Sequence, residues 1–182
     1  MNDSMKRYFK VGGLLCAIGA ISALLITGLN VFTAPKIEAN LQEKKAAGLK
    51  VVYSETVSWS DDVAVSGHYL TSYNVCYDAA DKELGYVYAA TGSSGVVKTT
   101  KLLIGVSGTA EAPELGKIYF LTNGATGAYG VKVQNNYVDP YNSAPSDGAL
   151  GDVQCGATVA ASLIKAMVEE ARSSYVASKG GH

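Results

Sequence analysis

Uncharged and mostly apolar positions run without a break from Val11 to Pro35, long enough to supply the ~20 residues a bilayer-spanning helix needs. Lys6, Arg7 and Lys10 precede the run. That asymmetry predicts a cytoplasmic N-terminus and an extracytoplasmic remainder. After Pro35 the spacing changes. Ile37, Leu41 and the stem of Lys44 fall on one face of Ile37–Ala47, which predicts a short charged helix ending near Gly48. From Val51 the period shortens to two. Val51-Val52-Tyr53, Val63-Ala64-Val65, Tyr73–Tyr77 and Leu84–Tyr88 read as strands, the last two joined as a hairpin through a turn over Asp78–Glu83. Thr91–Gly95 reads as a polar, glycine-rich loop and Leu102–Val106 as a buried strand. Asp139–Asn142 and Ala144–Gly148 are turns, and Val159–Tyr175 has helical periodicity. The fold class expected is therefore α+β: one N-terminal transmembrane helix, then a mixed or antiparallel sheet closed by a C-terminal helix. The boundaries expected are 1–35 for head and anchor and 36–182 for an extracytoplasmic domain.

Composition narrows the function. The head and span hold three positive side chains and one negative, so the remaining 147 residues carry a net charge of −3. That argues against nucleic acid as a partner, because nucleic acid favours basic surfaces. A secretory signal peptide would have a shorter apolar core and a small-x-small cleavage site. The candidate triplet Phe32-Thr33-Ala34 begins with a bulky residue, and Leu15 stands before Cys16 where a lipoprotein signal needs a small one. An uncleaved anchor is expected. Two histidines, His68 and His182, and no C-x-x-C leave little material for a metal site or a histidine-based triad. Cys76 and Cys155 lie beyond the span, and two cysteines do not by themselves fix a disulfide. Both free and bridged forms stay open.

The most informative stretch is Asp152-Val153-Gln154-Cys155-Gly156-Ala157-Thr158, leading straight into the helical segment. Gly156 allows close backbone approach to a ligand, and the free N–H groups of a following helix suit an anion. Gly-Ala-Thr also occurs at Gly124-Ala125-Thr126, but there Phe120 stands where Asp152 stands and glycines follow.

The Asp152–Thr158 run resembles the D-x-x-S/T-G-A-T sequence of FMN-binding domains. These occur in the G subunit of Rnf-type ferredoxin:NAD oxidoreductases and in the C subunit of the sodium-translocating NADH:quinone reductase. The resemblance implies FMN joined covalently, by phosphoester, to Thr158. Gly156 and Ala157 would permit close approach, Cys155 takes the usual Ser/Thr position, and Asp152 serves the flavin transferase or caps the turn. Gly85-Tyr86-Val87-Tyr88 is similar to the family's G-Y-x-F strand, and Gly92-Ser93-Ser94-Gly95 stands in place of G-Y-G-G without its tyrosine. Ala125-Thr126-Gly127-Ala128-Tyr129-Gly130 takes the place of E-T-P-G-L-G, so Thr126 falls in the loop that would lean on the isoalloxazine. The family implies an electron-transfer subunit rather than a complete enzyme, with other membrane redox subunits and a flavin transferase as partners. The alternatives are a stand-alone surface flavoprotein for extracellular electron transfer and a pilin-like structural protein. A type IV pilin carries G-F-x-x-x-E at its processing site, whereas here Ala17 and Ile18 follow Gly12 and Gly13 at that spacing and the span has no acid.

Overall fold

In the computed structural model, residues 3–95, 97–125, 127–143 and 157–180 are described. The chain divides into two compact units, Met1–Glu43 and Lys44–His182. The first contains most of a single helix, α1 (Asp3–Val52). Its described apolar window has none of its surface buried in the protein, and α1 is long and apolar enough to cross a membrane. Pro35 lies inside α1 rather than ending it, so the separate short helix expected after it does not exist. A proline in a helix interior costs about 3 kcal/mol. Here good helix formers flank it, and the last turns are held by packing.

The second unit is α+β. Six strands form one antiparallel sheet: β1 (Ser58–Trp59), β2 (Val63–Ala64), β3 (Leu70–Tyr77), β4 (Glu83–Ser94), β5 (Val97–Gly108) and β6 (Pro113–Thr122). Their order is β1-β3-β4-β5-β6, with β2 also paired to β3. The expected mixed or antiparallel sheet is thus antiparallel throughout its described pairs. Thr91–Ser94, expected as a loop, continues β4, and the turn falls at Gly95 with φ +51°. Short helices α2 (Ala128–Val133) and α3 (Asp139–Ser143) flank a π-helical turn, Gln134–Val138. Asp139–Asn142, expected as a turn, is therefore helical. Pro140 suits a first helical turn, and Asn142 anchors α3 by two bonds to Ile118, accepting from its N–H at 2.8 Å and donating to its carbonyl at 2.7 Å. Helix α4 (Thr158–Gly180) closes the described chain.

Alternation along β5 divides the core. Leu102, Ile104 and Val106 face α4, whose Ala160, Ala161, Ile164, Met167, Val168, Ala171 and Tyr175 make one helical stripe. Leu103 faces the other way, into a smaller cluster with Leu49, Val52, Cys76 and Val87. Val51 and Val52 belong to α1 rather than to a strand, because Leu49 and Val52 bury against the sheet and packing overrides β propensity. Burial pushes the Cys76 thiol up, with the Thr56 hydroxyl offsetting part of the effect, and this thiol is free.

Three glycines on adjacent strands make this second face possible. A Cβ on Gly85 would meet the Tyr53 hydroxyl at 2.5 Å and its Cζ at 2.8 Å, one on Gly105 the Tyr53 Cζ at 3.2 Å, and one on Gly116 the Tyr53 Cε1 at 3.3 Å. Together they form a slot one aromatic ring wide. Gly85 also has φ +155°. Beside the slot, Lys45 pairs with Asp62, whose Oδ1 also accepts from Asn74 at 2.7 Å. Burial works against the Asp62 carboxylate, but these two hydrogen bonds and the Lys45 charge hold it below its ordinary range.

On the α4 face, Tyr73 stacks on Tyr86 at 5.1 Å, and Tyr175 meets Tyr86 edge-on at 5.2 Å. Lys179 lies 5.0 Å from the Tyr86 ring and pairs with Glu83 at 2.6 Å.

Two outcomes are expected. Gly85→Ala should lower stability by roughly 2–5 kcal/mol through strain and overpacking, whereas Tyr53→Phe should cost less than about 1 kcal/mol because it leaves the slot filled. Urea midpoints at constant slope decide between them, and equal losses would refute the slot. The second concerns alkaline pH. Burial pushes Tyr88 up to about 12, and burial, then Tyr137, does the same for Tyr141. These phenols ionise later in the folded chain than in the unfolded one. Their contribution to stability is therefore complete below pH ~10 and is lost as pH rises through about 12. A phenolate absorbance titration should show part of the tyrosine signal delayed to that range, merging into one transition near 10 after denaturation.

Candidate functional site

The direction of α4 fixes where its N-terminus lies. Gly92, near the end of β4, packs under Met167 and Leu163. At the far end, the Tyr175 hydroxyl donates to the Gly108 carbonyl at 2.7 Å, and Lys179 reaches Glu83. The helix therefore runs from the β4–β5 hairpin toward the β5–β6 turn. Thr158 precedes Leu163 by five residues, or about 7.5 Å of helix rise, so the first turn extends beyond Gly92 over the hairpin end of the sheet.

Thr158 is the first residue of α4 and is exposed, while Ala157 before it is buried at 8% exposure. Ala161 N–H donates to the Ala157 carbonyl at 3.1 Å. The N–H groups ahead of it have no intrahelical acceptor, as at any helix start. The exposed hydroxyl thus stands at the positive end of a 23-residue helix, where a phosphate charge is favoured. Asp152, Cys155 and Gly156 lie outside the described residues, as does Thr126. Lys165, two turns along, is partly buried rather than exposed.

The structure brings a second sequence-predicted segment to this end. The chain leaves β6 at Thr122, which pairs with Lys101, and turns through Asn123–Ala125 into α2, which packs on α4. Gly124 is pinned from both sides. Its N–H donates to the Thr100 hydroxyl at 3.1 Å, and its carbonyl accepts from Lys98 N–H at 3.0 Å. A Cβ there would collide with the Lys98 and Thr99 backbone. Asn123 accepts from Ala125 N–H at 3.1 Å and donates to Gly130 O at 3.2 Å. Thr100 and Asn123 therefore fix the Asn123–Ala125 segment, and neither stood out in the sequence. A threonine in a strand looks like a strand former, and only the fold shows that its hydroxyl is buried at 3% exposure holding a loop.

Among the described residues, no three of His, Cys, Asp and Glu converge where they could hold a metal ion. The exposed Thr158, the small Ala157 and the helix start fit a phosphate ester. No protein-family model matches the chain, and no curated protein or solved structure matches it significantly.

Removing the Thr100 hydroxyl tests how the site end is held. Thr100→Val should orphan the buried Gly124 N–H at a cost of about 1–3 kcal/mol. Amide exchange should accelerate at Gly124 and Ala125 first, while protection in β3 and the centre of α4 is retained.

Proposed function

We propose that the protein is a membrane-anchored flavoprotein electron carrier, with FMN esterified through its phosphate to Thr158. One observation carries the reading: the threonine of the D-x-x-C-G-A-T run is exposed on the first turn of a long helix packed on an antiparallel sheet. In this reading α1 crosses the membrane with Lys6, Arg7 and Lys10 in the cytoplasm, and the α+β unit works outside it. The chain serves as an electron-transfer subunit in the manner of the Rnf-type G subunits that its motif resembles.

The protein's share of the chemistry is attachment and placement. The bond formed is Thr158 Oγ–P. The hydroxyl proton and the leaving group of the activated flavin nucleotide depart within the transferase. The remaining phosphodiester charge sits at the positive end of α4. Ala157, buried and small, keeps the approach to Thr158 open. The bound flavin would supply the redox chemistry. The Asn123–Ala125 segment, pinned by Thr100 and Lys98, would be a fixed support for a flavin bound at this end of the sheet. Tethering suits an extracytoplasmic carrier, because a dissociated flavin would be lost to the surroundings.

Coexpression with a flavin transferase should raise the intact mass by one FMN-phosphoryl unit. Thr158→Ala should abolish the increase and the covalent fluorescence on a denaturing gel, and Thr126→Ala should retain both. Gly156→Val should also block attachment while leaving near-native circular dichroism, since a β-branched side chain would occupy the approach. An adduct that survives Thr158→Ala and disappears in Thr126→Ala would move the site to the other Gly-Ala-Thr.

A further inference from the structure

Charge on the α+β unit is sorted along the strands. At the hairpin end, Ala89–Lys101, Phe120–Lys132 and Thr158–Met167 contain no Asp or Glu. They present Lys98 and Lys132 exposed and Lys101 half-buried. At the opposite end, Asp78, Asp81, Glu83, Glu111 and Glu114 cluster around the strand turns. Lys179 is held by Glu83 there, leaving Lys82 among the other four acids. Among the described residues the unit thus has a basic end and an acidic end despite its negative total.

Exposed apolar side chains are found at both ends, with Val57 and Trp59 beside Tyr77 and Cys76 at the acidic one. Tyr129, Val131 and Val159 are 60%, 59% and 49% exposed and belong to α2 and the first turn of α4. The other large exposed apolar side chains described in this unit are Val51, Val57, Trp59 and Val63, at the end of α1 and around β1 and β2. Lys132 lies 6.0 Å from the Tyr129 ring, so cation and aromatic are presented side by side. An apolar centre ringed by charges of one sign is how protein surfaces select and steer a partner of the opposite sign.

We infer that the α2–α4 end, with Lys98 and Lys132 among Tyr129, Val131 and Val159, is the docking face for an acidic redox protein. The identity of the partner as a redox protein rests on the proposed function, whereas the choice of an acidic protein surface rests on the charge and exposure alone. The acidic opposite end repels the same partner, so the distribution favours one orientation of encounter. That orientation brings the partner to Thr158.

The test uses the full chain in nanodiscs of zwitterionic lipid, first free of flavin. An acidic flavodoxin and a basic cytochrome c serve as probes. The acidic probe should bind and broaden or shift amide signals of α2 and the first turn of α4, with affinity falling steeply as salt rises. Lys98→Glu/Lys132→Glu should weaken it by roughly tenfold or more, while Lys82→Glu should change it less than about twofold. Tyr129→Ser should weaken binding without altering its salt dependence. Equal binding of the basic probe, or a double reversal without effect, would overturn the inference. Binding to anionic phosphatidylglycerol vesicles with no response to the acidic protein would overturn it in favour of a lipid surface. The same titrations on flavinylated protein then report the redox role. If no flavin attaches but the acidic probe still binds here, the flavin reading fails and the docking face stands. If flavin attaches and the probe does not bind here, the reverse holds.

Discussion

The close approach of Tyr53 and the last turns of α1 to the sheet is the constraint on which the α+β unit depends. It requires the absence of side chains at Gly85, Gly105 and Gly116, so that the phenol ring can lie where three Cβ atoms would otherwise stand. Gly48 repeats the requirement from the helix side, since a Cβ there would meet Leu103 Cδ1 at 2.6 Å and Tyr119 Cδ1 at 2.7 Å. Glycine in a strand gives up packing and entropy. Here both are offset by enclosing Leu49, Val52 and the Tyr53 ring against Leu103 and Val87. With that face covered, the sheet is free to use its other face for α4, and the direction of α4 sets the position of Thr158.

The two ends of α4 are held by different means. The C-terminal half is fixed by polar contacts at Gly108 and Glu83 and by the Tyr86–Tyr175 edge contact. Glu170, midway, accepts from the backbone N–H groups of His68 and Tyr69 and so fastens the loop before β3. The N-terminal half is fixed by apolar packing of Ala157, Ala160 and Leu163.

The sequence revealed periodic elements better than their limits. Leu102–Val106 and the stripe from Ala160 to Tyr175 were legible because burial on one side imposes a period that needs no partner to be recognised. Val51–Tyr53 and Asp139–Asn142 were misread because local composition favours strand and turn, while the deciding contacts come from Leu103 and from Ile118, far along the chain. Pro35 was read as punctuation, yet the helix continues through it. For the site, the motif marks Thr158, and periodicity places it at the start of a helix. The glycine slot, the Thr100–Gly124 bond and the sorting of charge between the two ends arise only when distant segments meet. No spacing rule could have shown them.

Asn142 has a consequence beyond anchoring α3. Its carboxamide offers Ile118 one donor and one acceptor, the pair that a neighbouring strand would have offered. The outer strand of the sheet is thereby satisfied at its middle by a single side chain, and an incoming strand would have to displace it before pairing could propagate. Where many copies crowd onto a shared surface, an open border of this kind would invite stacking into ribbons. One amide group closes the middle of that border to such pairing.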